Sequence, residues 1–294
     1  MRPFQTCNLS SAVIRAEDDY ASMAQKVRAA TIIGTIQSMA DNFGSVLREE
    51  WRRNQREERI LGVDLNGQMD NAMVQQPWVL RGLREVAVQT NAQYARILGI
   101  NQSAAVTSVK PSGNSSQLLD CSSGLHPRWS SYYIRRKRFN RHSPVRRLLE
   151  DQGVPMCPEN GQTEETATTF VVEFPVKSPQ GAKTRNEWTA LEQLEYWLRV
   201  RTEYTEHQPS VTITYRPEEL EDVIHWVKEH RDYVAGLSFL PSSDHTYEQA
   251  PYEEITAEEF ERRSISFPSL DFSTLPRYEA EDLTTAAQDF NHIG

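Results

Sequence analysis

Short apolar runs of about five residues alternate along this chain with amphipathic stretches of roughly 12 to 25 residues. That alternation limits the architectures open to the chain. Ile60–Leu65 (Ile-Leu-Gly-Val-Asp-Leu), ended by Asn66-Gly67, reads as a buried strand running into a turn. Ala104–Val109, Tyr132–Arg138, Thr169–Phe174, Val211–Tyr215 and Gly236–Leu240 are further strands. Between them lie helical patterns. The first runs from Asp18 to Phe43, with Asp18 or Asp19 as cap and Met23, Val27, Ala30, Ile33/Gly34 and Ile36 on the inner face. Others cover Val79–Leu98, Asn186–Tyr204, a segment opened by Pro217, and Thr256–Arg263. Charged residues crowd 48–59 as a solvated helix end, and 155–168 reads as an exposed excursion. Alternation of this kind predicts an α/β fold with largely parallel strands, in which ligands bind at the carboxyl ends of the strands.

The segment most suggestive of a site obeys that rule. Lys110-Pro111-Ser112-Gly113-Asn114-Ser115-Ser116 follows the strand Ala104–Val109. Pro111 has no N–H and stops strand pairing. Asn114 or Ser115 is placed to cap a short helix through Gln117 and Leu118. Free backbone N–H groups, hydroxyls, a helix start and a nearby Lys make a seat for a phosphate group. An ordinary strand-to-helix turn is the other reading of the same residues.

Charge is unevenly placed. The formal net charge of -9 falls on 241–294, with 12 acidic and 3 basic residues, while 1–240 carries 29 of each sign. The neutral body gives no general bias toward nucleic acid, and the acidic end would repel it. Seven basic residues do cluster in Arg135–Arg147, after Tyr132-Tyr133. A solvated face neutralised by acidic neighbours is favoured there over a nucleic-acid patch, with a charged rim for polyphosphates as a third reading. Cys7, Cys121 and Cys157 are far apart and the seven histidines are scattered. Neither a disulfide framework nor a metal site is expected. No apolar run approaches the ~20 residues of a membrane span and no signal peptide is visible, so a cytoplasmic location without membrane contact is expected.

Several motifs together carry a resemblance. Thr6-Cys7-Asn8-Leu9-Ser10, Ala30–Ser38, Glu58–Gly67, the Lys110–Ser116 loop, Ser122–Arg128 with Tyr132–Arg136, Gly181–Asn186, and Ser238–Pro241 with Asp244–Tyr247 occur in order over nearly the whole chain. They resemble the adenosylcobalamin-dependent (class II) ribonucleotide reductases, particularly the monomeric ribonucleoside-triphosphate reductase type. The resemblance implies the C-terminal part of a ten-stranded α/β barrel in residues 1–240, followed by an acidic extension at 241–294. It implies that Pro111, Ser112, Gly113, Asn114, Ser115 and Ser116 hold the phosphates of a ribonucleotide. Cys7 would be one of two thiols oxidised to a disulfide as the ribose is reduced. Asn8 and Lys110 would be substrate or cofactor contacts. Adenosylcobalamin would be the cofactor, and thioredoxin or another dithiol the reductant.

Two family elements are missing from these 294 residues: an Asn-x-Cys-x-Glu segment with the thiyl-radical Cys, and a Cys pair near the end. The expectation is therefore an enzyme part that is inactive without a separate N-terminal half. The alternative is a catalytically incomplete nucleotide-binding or regulatory fragment.

Overall fold

In the computed structural model, the described residues are 2–44, 46–110, 112, 115–242 and 247–280. In chain order the elements are β1 (Asn8–Val13), α1 (Tyr20–Gln37), α2 (Glu49–Glu58), β2 (Leu61–Asn66), α3 (Pro77–Leu98), α4 (Ser115–Leu118), β3 (Tyr132–Asn140), α5 (Pro144–Asp151), β4 (Met156–Pro158), β5 (Thr169–Lys177), α6 (Ala190–Glu203), β6 (Thr212–Tyr215), α7 (Leu220–Glu229), β7 (Ser238–Pro241), β8 (Tyr252–Glu254), α8 (Ala257–Ser266) and α9 (Leu275–Glu279). They fall into two units, residues 1–128 with 179–243 and residues 129–178 with 244–294.

The first unit has parallel pairing and a large apolar core. β1 runs parallel to β2, from Asn8 opposite Leu61 to Val13 opposite Asn66. The expected strand 104–109 lies on the other side of β2, bridged in parallel at Val63–Thr107. Its carbonyls at Ala105 and Val106 accept the Leu61 and Val63 amides at 2.9 and 2.8 Å. β6 pairs in parallel with β7. All six β2 residues are buried, Asp64 and Asn66 included, as befits a strand covered on both faces. Helices α1, α3 and α6 supply Met23, Val27, Leu80, Leu83, Leu194 and Trp197 to the core.

Helix ends follow local chemistry. Asp19 caps α1 by accepting the Ser22 amide, Pro77 opens α3 and left-handed Gly99 closes it, and a Thr189–Glu192 capping box opens α6. Pro217 opens a 3-10 turn that leads into α7. The inner face of α1 differs from the expectation. Its buried stripe is Met23, Val27, Ala30, Thr31, Gly34 and Thr35, whereas Ile33 and Ile36 are 62% and 51% exposed. Thr31 and Thr35 tolerate burial because their hydroxyls donate to the carbonyls four residues back.

The second unit corrects the expectation of parallel strands. β4, β5, β3 and β8 form one sheet in that order, and every pairing is antiparallel. β3 carries four consecutive basic residues, Arg135 to Arg138, of which Lys137 and Arg138 are exposed, as an antiparallel sheet open to water allows. Leu148, Leu149, Val154 and Val172 form its own small core. Beyond residue 240, where the sequence draws a boundary, the described residues add β8, α8 and α9 to this unit.

Candidate functional site

Parallel pairing in the first unit brings two of the sequence-predicted features to adjacent segments. Cys7 directly precedes β1, and the 104–110 segment lies across β2 from it. Their common neighbour is Gly62, where an added Cβ would stand 2.6 Å from Leu9 Cδ2, 3.3 Å from Cys7 Sγ and 3.6 Å from Ser108 Cβ. A side chain at 62 would therefore displace Leu9, and glycine keeps the thiol against β2. Cys7 is half-buried and reduced. Burial pushes its pKa up, and the positive charge of Lys110 only partly offsets this. The group is therefore a thiol at neutral pH. Asn8 is buried, with its side-chain amide donating to the Ile60 carbonyl at 3.0 Å, so that side chain anchors β1 to the residue before β2.

Of the expected phosphate seat, Pro111, Gly113 and Asn114 lie outside the described residues. Lys110, Ser112, Ser115 and Ser116 are described, and Ser122 and Ser123 join them. Ser112 Oγ lies 2.5 Å from Ser116 Oγ and 2.8 Å from Ser123 Oγ. The Ser112 amide donates to Ser123 Oγ at 3.3 Å, and Ser115 Oγ donates to the Ser112 carbonyl at 2.7 Å. Ser112 links the other two hydroxyls, and these two bonds use two of the three protons. One O–H remains to donate to an anion. Helix α4 is a single turn, so its dipole adds little and the local donors carry the chemistry.

Beneath the loop is a buried polar network that sequence reasoning did not identify. Asp64 and Asn66 on β2 are 0% and 1% exposed. Asp64 Oδ1 accepts the Lys110 amide at 3.1 Å, and Oδ2 accepts Ser11 Oγ at 3.0 Å and Asn66 Nδ2 at 2.8 Å. Asn66 Oδ1 accepts the Gly124 amide at 2.9 Å. Burial pushes the Asp64 carboxyl up to about 6, against the hydrogen bonds from Lys110 and Ser11 and the Lys110 charge. Asp70 takes the Ser122 amide at 2.9 Å and a bidentate pair from Arg128, also at 2.9 Å. Arg128 in turn donates to Asp120 Oδ1 at 2.7 Å. His126 Nε2 accepts the Thr212 amide at 3.0 Å, so its proton sits on Nδ1 and is donated to the Ser123 carbonyl. Burial lowers the pKa of this imidazole, consistent with that neutral tautomer. The available signal was an acid inside an otherwise apolar strand, because a buried carboxylate must find partners.

The other thiols sit in different surroundings. Cys121 is buried beside Asp70 and its pKa is pushed up to about 11 by burial. Cys157 is an exposed residue of the second unit. The basic strand of that unit is neutralised by acidic neighbours, as favoured from the sequence. Arg136 bonds Glu173 and Glu253 at 2.7 and 2.5 Å, Arg138 bonds Glu159, and Arg146 bonds Glu150. Among the described residues, no group of three His, Cys, Asp or Glu is placed to hold a metal ion, and no helix is long and apolar enough to cross a membrane.

Comparison with known proteins shows what the chain as a whole is similar to. No family model matches the chain. It is 34% identical over 186 residues to an adenosylcobalamin-dependent ribonucleoside-triphosphate reductase of Euglena gracilis, covering 63% of this chain and 25% of that protein. It is 32% identical over 190 residues to the reductase of the same name from Lactobacillus delbrueckii subsp. bulgaricus, covering 62% of this chain and 25% of that one. The fold matches a crystal structure of a B-12 dependent (class II) ribonucleotide reductase with a TM-score of 0.79 and 21% identity, covering 97% of this chain and 43% of the other. The small sheets described above fit part of that barrel fold. The chain spans about a quarter of the length of the curated relatives it matches. In sequence and in fold, this chain is a relative of the adenosylcobalamin-dependent class II ribonucleotide reductases.

Proposed function

We propose that this chain is the C-terminal portion of a ribonucleotide reductase that converts ribonucleoside triphosphates to 2′-deoxyribonucleotides by a radical mechanism. In this reading the loop at 110–116 holds the substrate phosphates and Cys7 is one of two redox thiols. The supporting observation is the adjacency of Cys7 and the Lys110 segment on either side of β2, with the Lys110 charge felt at the thiol. Ser112, Ser116 and Ser123 offer a hydroxyl cluster, and Lys110 a positive charge, to a polyphosphate.

The chemistry assigned to Cys7 is a two-electron oxidation. Two thiols give up two hydrogens and close to a disulfide, the ribose 2′-hydroxyl leaves as water, and hydrogen takes its place on carbon. Burial keeps Cys7 protonated, so it enters as a hydrogen-bearing thiol. Its partner thiol and the thiyl-radical Cys belong, in this reading, to an N-terminal half carrying the Asn-x-Cys-x-Glu segment. Thioredoxin or another dithiol would restore Cys7, and the setting would be cytoplasmic.

Adenosylcobalamin is the cofactor that the relatives' names imply. Next to Cys7, the Asn8 amide is turned to Ile60.

The test is reduction of a ribonucleoside triphosphate by this chain mixed with the N-terminal half, adenosylcobalamin and a dithiol. Cys7→Ser should abolish turnover and leave triphosphate binding within about twofold, since Cys7 lies across β2 from the loop and is not part of its hydroxyl cluster. Turnover by the Cys7→Ser protein would refute its redox role, and turnover by the isolated chain would refute the need for a partner. Binding without turnover in any mixture would favour the alternative, a nucleotide-binding or regulatory fragment.

A further inference from the structure

Asp64 and Asn66 are spaced two apart on β2, so both side chains leave the strand on one face. That face meets both ends of the loop. Asp64 takes the amide of Lys110 where the chain enters, and Asn66 takes the amide of Gly124 where it leaves. The ends also touch one another. Gly124 is left-handed (φ +52°), and a Cβ there would stand 3.0 Å from the Lys110 carbonyl oxygen. Ser112 and Ser123, whose hydroxyls meet at 2.8 Å, lie just inside these two anchor points.

The network has a single consistent arrangement of donors. A carboxamide has one accepting end and one donating end. Asn66 gives its NH2 to Asp64 Oδ2 and to Ser11 Oγ, both at 2.8 Å. Its carbonyl is thereby forced toward the Gly124 amide. The carboxylate at 64 therefore orients the amide at 66, which orients the loop's exit. Amides at both ends of the loop thus depend on one buried acid.

We propose that Asp64 and Asn66 are positioning residues that act as a two-ended clamp on the anion-binding loop, aligning its hydroxyl cluster for a polyphosphate. This rests on the phosphate-loop reading above. Lys110 and Tyr204 are the titratable groups whose charge couples to Asp64.

The clamp predicts a swap rescue. Asp64→Asn sets an NH2 against either the NH2 of Asn66 or the amide of Lys110, and Asn66→Asp sets two carboxylates together. Asp64→Asn with Asn66→Asp restores one donor facing one acceptor, with the roles exchanged. In the full 294-residue chain, amide hydrogen exchange of the 110–124 peptide and titration with inorganic tripolyphosphate are measured for all four proteins. Each single variant should exchange about tenfold faster in that peptide and bind about tenfold more weakly, the size of one buried hydrogen bond lost, and the double swap should return both to within about threefold. Should a single variant fail to fold, Ser11→Ala removes one hydroxyl from the set and should give a smaller change of the same sign. Folded single variants that exchange and bind like the parent protein would overturn the proposal, as would a folded double swap without rescue. A parent chain that ignores tripolyphosphate yet shows the exchange pattern would refute the phosphate reading and leave the clamp standing.

Discussion

Removing the guanidinium of Arg128 should be among the most damaging single changes in the first unit. Arg128 and Asp70 have side chains 4% and 3% exposed and share two parallel hydrogen bonds of 2.9 Å. Asp120, the other carboxylate on Arg128, is 65% exposed, so its pairing contributes little. Arg128→Met leaves the Asp70 carboxylate buried with the Ser122 amide as its remaining partner among the bonds described above. An ion stripped of its buried partner costs about 3–5 kcal/mol. In a unit of this size each kcal/mol lowers the melting temperature by about 2–4 °C, which predicts a fall of roughly 6–20 °C. Most of that cost is stranded charge, not lost attraction. Asp70→Asn placed on top of Arg128→Met keeps an acceptor for Ser122 and removes the charge. The double variant should therefore recover at least about 1–2 kcal/mol of the single variant's loss. Thermal unfolding followed by far-ultraviolet circular dichroism reads both numbers. A loss below about 1 kcal/mol for Arg128→Met, or a double variant no better than the sum of the singles, would refute this reasoning.

Two further outcomes follow from the same unit. The Asp64 carboxyl is raised to about 6, so the fold prefers its neutral form; that contribution is full below about pH 4 and is lost as pH rises through 6, roughly 3 kcal/mol in all at ~1.4 kcal/mol per pH unit. The stability difference between the parent chain and Asp64→Asn should thus shift against the parent between pH 4 and 7, and a flat difference would contradict it. Gly67 has φ +82°, and its Cβ would fall 1.9 Å from the Ile14 carbonyl oxygen, whereas Gly99 (φ +67°) has open space. Gly99→Ala should cost only the left-handed backbone preference, about 1–2 kcal/mol, and Gly67→Ala clearly more, because the end of β1 must move; equal melting temperatures for the two would show that it need not.

What the sequence revealed tracks how local each signal was. β2 was legible because Ile60–Leu65 is a short, mostly apolar run ended by Asn66-Gly67, and α6 because Leu191, Leu194, Trp197/Leu198 and Arg201 recur at helical spacing, although the helix begins at Ala190 and not at Asn186. β1 was not singled out, because Asn8–Val13 mixes polar and apolar residues and becomes a strand by pairing with β2, some fifty residues away. The antiparallel sheet was misread for a related reason. Strand direction depends on which segments meet, and β3 meets β5 and β8 across 29 or more residues of chain. Ile33 and Ile36 misled because an isoleucine counts as inward in any periodic reading, while the hydroxyls of Thr31 and Thr35 satisfied themselves within the helix. At the candidate site the serines and Cys7 were visible as residues with chemistry to offer. The carboxylates that hold the loop were not, since an acid within an apolar run carries no sign of which distant amides it will meet.

The placement of those buried carboxylates has a physical reason beyond stability. A buried ion pair is commonly no more stabilising than an apolar pair of the same volume. Asp64, Asn66, Asp70 and Arg128 therefore gain the first unit little that leucine and methionine could not provide. An apolar set, however, has no acceptor for a backbone amide and no preferred orientation. The buried set takes the amides of Lys110, Ser122 and Gly124, three fixed points around one loop. Hydrogen bonds of 2.9 to 3.1 Å define where those points lie far more narrowly than dispersion contacts would. If the loop presents hydroxyls and amides to an anion, as proposed, it needs that definition before the anion arrives, because ordering it afterwards would subtract from binding. On the proposed phosphate-loop reading, what it positions explains the polar interior at the end of β2.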